Sequence, residues 1–316
     1  MKTRLELFER VRLYSSIAVA LAIVASLVAS QLIGSNDLIW QVAIAVISLA
    51  VGIPHGALDH FVSVPRTNKK IMTVFIVLYV LVACAAALII LKWNVLGFQM
   101  VVLMSLVHFG IGDSAFLNEL DHLKEKTNSR LPTVFVFLAF GSIPVVWPLV
   151  NSSSTSALAQ VNVNLVNWHQ GFDQDLRLII ILVFIVALVA LLFTKRFRDV
   201  VDLFLLSALA VLTPPLIAFA VYFGCWHAMR HTARLTLILP KAKSAAEKNN
   251  PLGSFIAAVI PGLPALFGTV IVALLIAILD TTNIDASYLW YLLVVVWALT
   301  VPHMMVTTKI DQESLA

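Results

Sequence analysis

Charge is scarce in this chain. Only 12% of its 316 residues are Asp, Glu, Lys or Arg, against about 25% in soluble globular domains. Uncharged runs of roughly 20 residues, enough to cross a bilayer, recur along its whole length, which excludes an ordinary soluble core. Cysteine is nearly missing as well. Cys84 and Cys225 are the only two, both within apolar runs, so no disulfide framework follows and both are expected as buried small side chains. No run alternates with period two, which excludes a transmembrane barrel. There is no HExxH, no cysteine pair suited to zinc, and no glycine fingerprint for a dinucleotide or flavin. The net charge of +4 is not a nucleic-acid signal, because its basic residues lie in short clusters between apolar runs, as topology determinants do.

What the chain has instead is apolar length. It is 60% hydrophobic, and we read an all-α polytopic integral membrane bundle of eight to ten helices in a single domain. Ten segments qualify: 13–34, 38–63, 71–91, 97–117, 131–150, 176–194, 199–213, 216–239, 254–280 and 285–307. The first apolar run is too long for a signal peptide and lacks a good cleavage site. The segment 199–213 is short and ends at Thr213-Pro214-Pro215, which suits a half-span or a re-entrant turn. The IPGLP stretch at 260–264 should break its helix, because each proline removes a backbone donor. The polar stretch 151–175 reads as an external loop. Basic clusters at Lys2–Arg12, Arg66–Lys70, Lys124–Arg130, Lys195–Arg198 and Lys241–Lys248 fall on every second connection. This pattern predicts that both termini face the cytoplasm, in a cell (inner) membrane protein.

Ionisable groups inside such spans cost several kcal/mol unless paired or functional. His122 and His169 fall in expected loops, whereas His55, His60, His108, His227, His231 and His303 fall within or at the ends of spans, all toward the cytoplasmic side. In CWHAMRHTAR, His227 and His231 are four apart and share one helix face about 6 Å apart, a spacing that lets two imidazoles hold one ion. In GIPHGALDH, Pro54 and the flanking Gly52 and Gly56 predict a kink with space beside His55. Asp59 follows His55 by four and shares its face, whereas His60 points elsewhere. HFGIGDS repeats the theme with His108, two glycines and Asp113. Asp59 and Asp113 are the expected counter-charges for Arg230 and Arg234, and Asp59, Asp113 and Arg230 are candidates to brace metal-holding histidines from behind. Imidazole ligation suits Zn, Cu, Fe or Ni, and the lack of a reductant-binding fingerprint favours dioxygenase chemistry.

GIPHGALDH, HFGIGDS, WHAMRH and VPHMMV together resemble the Brp/Blh family of bacterial and archaeal membrane proteins, over roughly residues 50–310. The resemblance implies a β-carotene 15,15'-dioxygenase that splits the central double bond with O₂ to give two retinals. It implies Fe(II) as cofactor, held by the matching residues His55, His108, His227 and His231, and it makes a rhodopsin a candidate recipient of the retinal. Phe109, Trp226, Trp147 and Trp168 are candidates for a substrate tunnel or its mouth. The roles of His60 and His303 stay open. Two other readings compete: a transporter or pigment-assembly factor with a His/Asp/Arg polar layer, and a membrane di-iron oxidase. The second needs repeated histidine boxes, and this chain has one HxxxH.

Overall fold

The structure, a computed structural model, describes residues 1–34, 37–63, 68–125, 131–151, 154–279 and 284–315. Arg66 and residues 126–130 of the basic clusters, and residues 152–153 of the polar stretch, lie outside the described residues. Among the described residues every regular element is helical, and eight helices are long and apolar enough to cross a membrane. The chain is a multi-pass helical membrane protein. In hydrocarbon the main chain has no water to bond, so each span must satisfy itself as a helix.

The first helix, α1 (Lys2–Leu32), begins earlier than its apolar run. The charged segment simply continues the helix, with a Glu6–Arg10 pair one turn apart at 2.6 Å and Arg12 turned inward. Helix α2 (Leu38–Gly52) tightens into a 3₁₀ segment, Ile53–Leu58, and resumes as α3 (Asp59–Ser63). The expected kink at Pro54 is therefore a change of helix type. Helix α4 (Lys69–Lys92) is peripheral and buries little more than Ala83 and Ile90. Cys84 is exposed on it, contrary to the expectation of burial, and Cys225 is half-buried. A lipid-facing surface gives apolar side chains no reason to hide.

Helix α5 (Asn94–Leu123) runs through the core and packs on α6 (Thr133–Val150). The two approach at Gly141, where an added Cβ would stand 2.2 Å from the Leu106 carbonyl oxygen. The stretch read as a loop at 151–175 contains α7 (Ser154–Val161) and a 3₁₀ turn, Val163–Leu165, and buried Trp168 donates its indole N–H to the Leu149 carbonyl at 3.2 Å. Helix α8 (Asp173–Phe193) is again peripheral, and α9 (Phe197–Leu212) buries one face carrying Asp199, Asp202, Leu206 and Leu209.

After Pro214 the chain enters α10 (Pro215–Val221), widens into a π-helical segment, Tyr222–Ala228, and continues as α11 (Met229–Leu235). A short helix, α12 (Pro240–Glu247), follows. Helices α13 (Pro251–Val259) and α14 (Leu263–Leu279) are one span interrupted at Ile260–Gly262, where IPGLP was expected to break it. The last helix is α15 (Ile284–Leu315). Two of these interruptions meet: a Cβ on Gly262 would lie 2.0 Å from the Pro54 carbonyl oxygen. Only glycine lets the broken span seat against the segment that carries His55.

Candidate metal centre

Five buried histidines converge from five elements: His55 on the 3₁₀ segment, His108 on α5, His227 in the π segment, His231 on α11 and His303 on α15. The nitrogens of His55, His108 and His227 form the tightest group, one atom from each within 4.8 Å of the others. His231 and His303 stand just outside it. Four rings make a closed circuit in space: His108 to His227 at 4.8 Å between ring centres, His227 to His231 at 6.1 Å, His231 to His303 at 5.5 Å, and His303 to His108 at 5.0 Å. His55 packs against three of them, 5.7 Å from His227, 5.3 Å from His231 and 5.0 Å from His303.

Local structure sets these positions. The π segment widens the turn around His227, a distortion frequent at functional sites, yet His227 and His231 keep nearly parallel rings at the spacing their sequence separation implies. Gly112 makes room on the facing helix, since a Cβ there would be 2.8 Å from His227 Cε1. His55 Nδ1–H donates to the Gly52 carbonyl, which fixes the ring and leaves Nε2 with its lone pair. His55 Nε2, His231 Nδ1 and His303 Nε2 are buried with no hydrogen-bond partner. His227 Nε2 and His108 Nε2 face each other at 3.1 Å.

The bracing residues fall differently from expectation. Asp59 does not share the face of His55. A 3₁₀ helix turns about 120° per residue, so four positions no longer return to the same side. Asp59 instead accepts Nδ1–H of His303 at 2.9 Å, and Tyr79 Oη–H donates to it at 2.9 Å. Asp113 accepts from Tyr222 Oη at 2.9 Å and Trp226 Nε1 at 3.1 Å. Arg230 lies over the Trp226 ring at 3.5 Å and donates to Asp202 at 3.1 Å, with Asp113 at 3.9 Å. Arg234 pairs with Glu119 at 3.0 Å and Asp311 at 2.5 Å. Asp59 is thus not a counter-charge to either arginine. Asp202 lies on a helix too short to suggest a full span, and Glu119 and Asp311 lie past the expected helix ends, so none of the three is legible from sequence as a partner.

A cavity of about 350 Å³ reaches the histidines. His55, His108 and His303 line it, together with Asp59, and Phe109, Phe223 and Tyr79 are among its walls. It extends to Ile76 and Val80, both exposed on the flank of α4. Phe109 also packs 4.5 Å from His227. Trp226 sits beneath Arg230 and away from the cavity wall, and His60 is part of that wall, with its ring 3.8 Å from Phe61.

The chain is 26% identical over 215 residues to a Beta-carotene 15,15'-dioxygenase of an uncultured marine bacterium, 66A03, spanning 65% of this chain and 72% of that protein. It is 27% identical over 288 residues to a Probable beta-carotene 15,15'-dioxygenase Blh of Halobacterium salinarum, spanning 84% of this chain and 82% of that protein. No solved structure matches. The family profile described as Beta-carotene 15,15'-dioxygenase matches residues 44–311, a span that runs from before His55 to beyond His303, and the chain belongs to that family.

Proposed function

We propose that this protein is an iron-dependent β-carotene 15,15'-dioxygenase that holds Fe(II) on His55, His108, His227 and His231. The observation that carries the reading is a cluster of buried imidazoles with unpartnered nitrogens at the inner end of an apolar cavity. An unpaired buried polar atom costs about 1–3 kcal/mol, and several together in one place fit a shared cation. The donors are imidazole alone, a set that suits iron among the transition metals. With a nitrogen–metal bond of about 2.1 Å, neighbouring imidazoles on one ion have ring centres roughly 4.5–5.5 Å apart, and most of the separations here lie in or near that range.

Iron bound there would supply the redox chemistry that lets O₂ react with an alkene. The chain's own residues would do the rest. Gly52 holds the His55 ring through its carbonyl, and Phe109 and Phe223 exclude water beside the histidines. β-Carotene offers no polar handle, so shape alone must decide which double bond lies at the centre, and positioning sets the site of cleavage. The substrate is about as long as the hydrocarbon core, roughly 30 Å, so the cavity would hold its middle while its ends extend outward. A narrower second cavity lies further along α5 and α15, lined by Val101, Ser105, Leu293 and Trp297, and is placed to take one arm. Each atom of O₂ ends on one carbon of the broken double bond, so two retinals form with no external reductant. A retinal-binding rhodopsin in the same membrane is the natural recipient. We assign the protein to the cell (inner) membrane with both termini cytoplasmic.

Expression in β-carotene-producing cells tests this. Orange cells should pale as retinal accumulates, and purified protein should carry iron. Unchanged carotene with no retinal, from protein shown to be in the membrane, would sink the proposal.

A further inference from the structure

His303 has a place in this centre that the four-histidine reading does not give it. Its ring shows the same preparation as His55. In both, Nδ1–H is held by an oxygen, the Gly52 carbonyl for His55 and the Asp59 carboxylate at 2.9 Å for His303. In both, Nε2 is buried and has no partner. Metal-binding histidines characteristically donate their outer N–H to a carboxylate or carbonyl, which fixes the tautomer and makes the inner nitrogen a better donor. Asp59 is itself held by Tyr79 at 2.9 Å, so the His303 ring is anchored through two side chains from two other elements.

Geometry places the ring among the others. His303 stands 5.0 Å from both His55 and His108 and 5.5 Å from His231. It closes the circuit of four rings and, like His55 and His108, lines the cavity. We propose that His303 is a fifth imidazole ligand, oriented by the Asp59–Tyr79 pair, at the edge between the metal and the substrate cavity. The proposal rests on the reading that this cluster binds a metal. His303 would be a ligand, and Asp59 and Tyr79 positioning residues.

The test uses the full-length protein in detergent, titrated anaerobically with Fe(II) and separately loaded with Co(II). His303→Ala should weaken Fe(II) binding by more than the roughly 10–100-fold typical of an outer partner, and should alter the Co(II) ligand-field absorption at saturation. Exogenous imidazole should restore both, because the cavity opens beside the vacated ring. Asp59→Asn should weaken binding by about 10–100-fold with a smaller spectral change. Wild-type protein gives a measurement that needs no variant: Co(II)-loaded samples should show five paramagnetically shifted, exchangeable imidazole protons by NMR. Four or fewer would overturn the proposal. So would a His303→Ala protein with wild-type affinity, or one with reduced affinity but an unaltered Co(II) spectrum, which would mean a purely structural role. Wild-type protein that binds neither ion would defeat the metal reading itself, whereas iron-bound, retinal-forming protein with four shifted protons would defeat only the fifth ligand.

Discussion

Two buried polar regions lie side by side in this molecule, and they are built on opposite principles. One is an ion-pair layer. Arg12 reaches Asp202 at 2.8 Å and also pairs with Asp199, Arg196 pairs with Asp199 and Asp121, and Arg230 reaches Asp202 at 3.1 Å. Charges of both signs interleave. Arg230 Nη1 and Asp113 Oδ1 lack hydrogen bonds, but they lie 3.9 Å apart with opposite charge. The other region is the histidine cluster, where basic groups face one another and several nitrogens end on nothing. A region that satisfies itself has a structural job. On the proposed reading, a metal ion would meet the unpartnered nitrogens of the second region.

The sharpest way to break that contrast is to remove a histidine from the tightest group. His227→Ala or His108→Ala should abolish stoichiometric iron and lower retinal formation beyond the roughly 100-fold upper range seen for outer partners. The metal-free protein in detergent should lose only the packing of one buried ring, with no charge left unpaired. Metal analysis, a retinal assay and a denaturation curve check this together. A variant that unfolds yet keeps its iron would erase the distinction between the two regions.

The opposite pattern is expected from the ion-pair layer. Asp202→Ala leaves Arg12 and Arg230 without their shared carboxylate. Breaking a buried pair on one side typically costs about 3–5 kcal/mol. The protein should therefore unfold at distinctly lower denaturant, while iron per folded molecule stays at the wild-type level. Loss of iron without loss of stability would show that the layer belongs to the metal centre after all.

The two regions also differed in how far the sequence disclosed them. Histidine is conspicuous in an apolar run, so His55, His108, His227, His231 and His303 stood out at once, and helical spacing alone placed His227 and His231 about 6 Å apart. The layer was mostly hidden. Arg12 looked like a flanking topology charge, and Asp199 and Asp202 sat at the start of a segment too short to read as a full span. What made them partners is the packing of α9 on α1, a long-range contact with no local signature. Asp59 was visible but misassigned. Four positions on a regular α-helix return Asp59 to the side of His55, whereas across the 3₁₀ segment at Pro54 it meets His303. The role of His303 was illegible for the same reason, since its partner is far away in sequence.

The smallest expected effect concerns His60, which is close to the centre in sequence but separate from it in space. It follows His55 by five positions. Five residues carry it about 140° round an α-helix and roughly 120° the other way round a 3₁₀ helix. On either geometry the two side chains leave the helix on different sides. The structure agrees: His60 is half-buried on the cavity wall, its ring packs 3.8 Å from Phe61, and it is not in the group that converges within 4.8 Å. His60→Ala should therefore keep iron at the wild-type stoichiometry. Because it widens the substrate wall, it should alter retinal yield, but by less than the roughly tenfold lower bound for an outer metal partner. His55→Ala, made alongside, should lose both iron and activity. Both proteins must first be shown to be folded and in the membrane. If His60→Ala loses iron while His55→Ala retains it, the turn geometry has been misread, and the ligand from this segment is the other histidine.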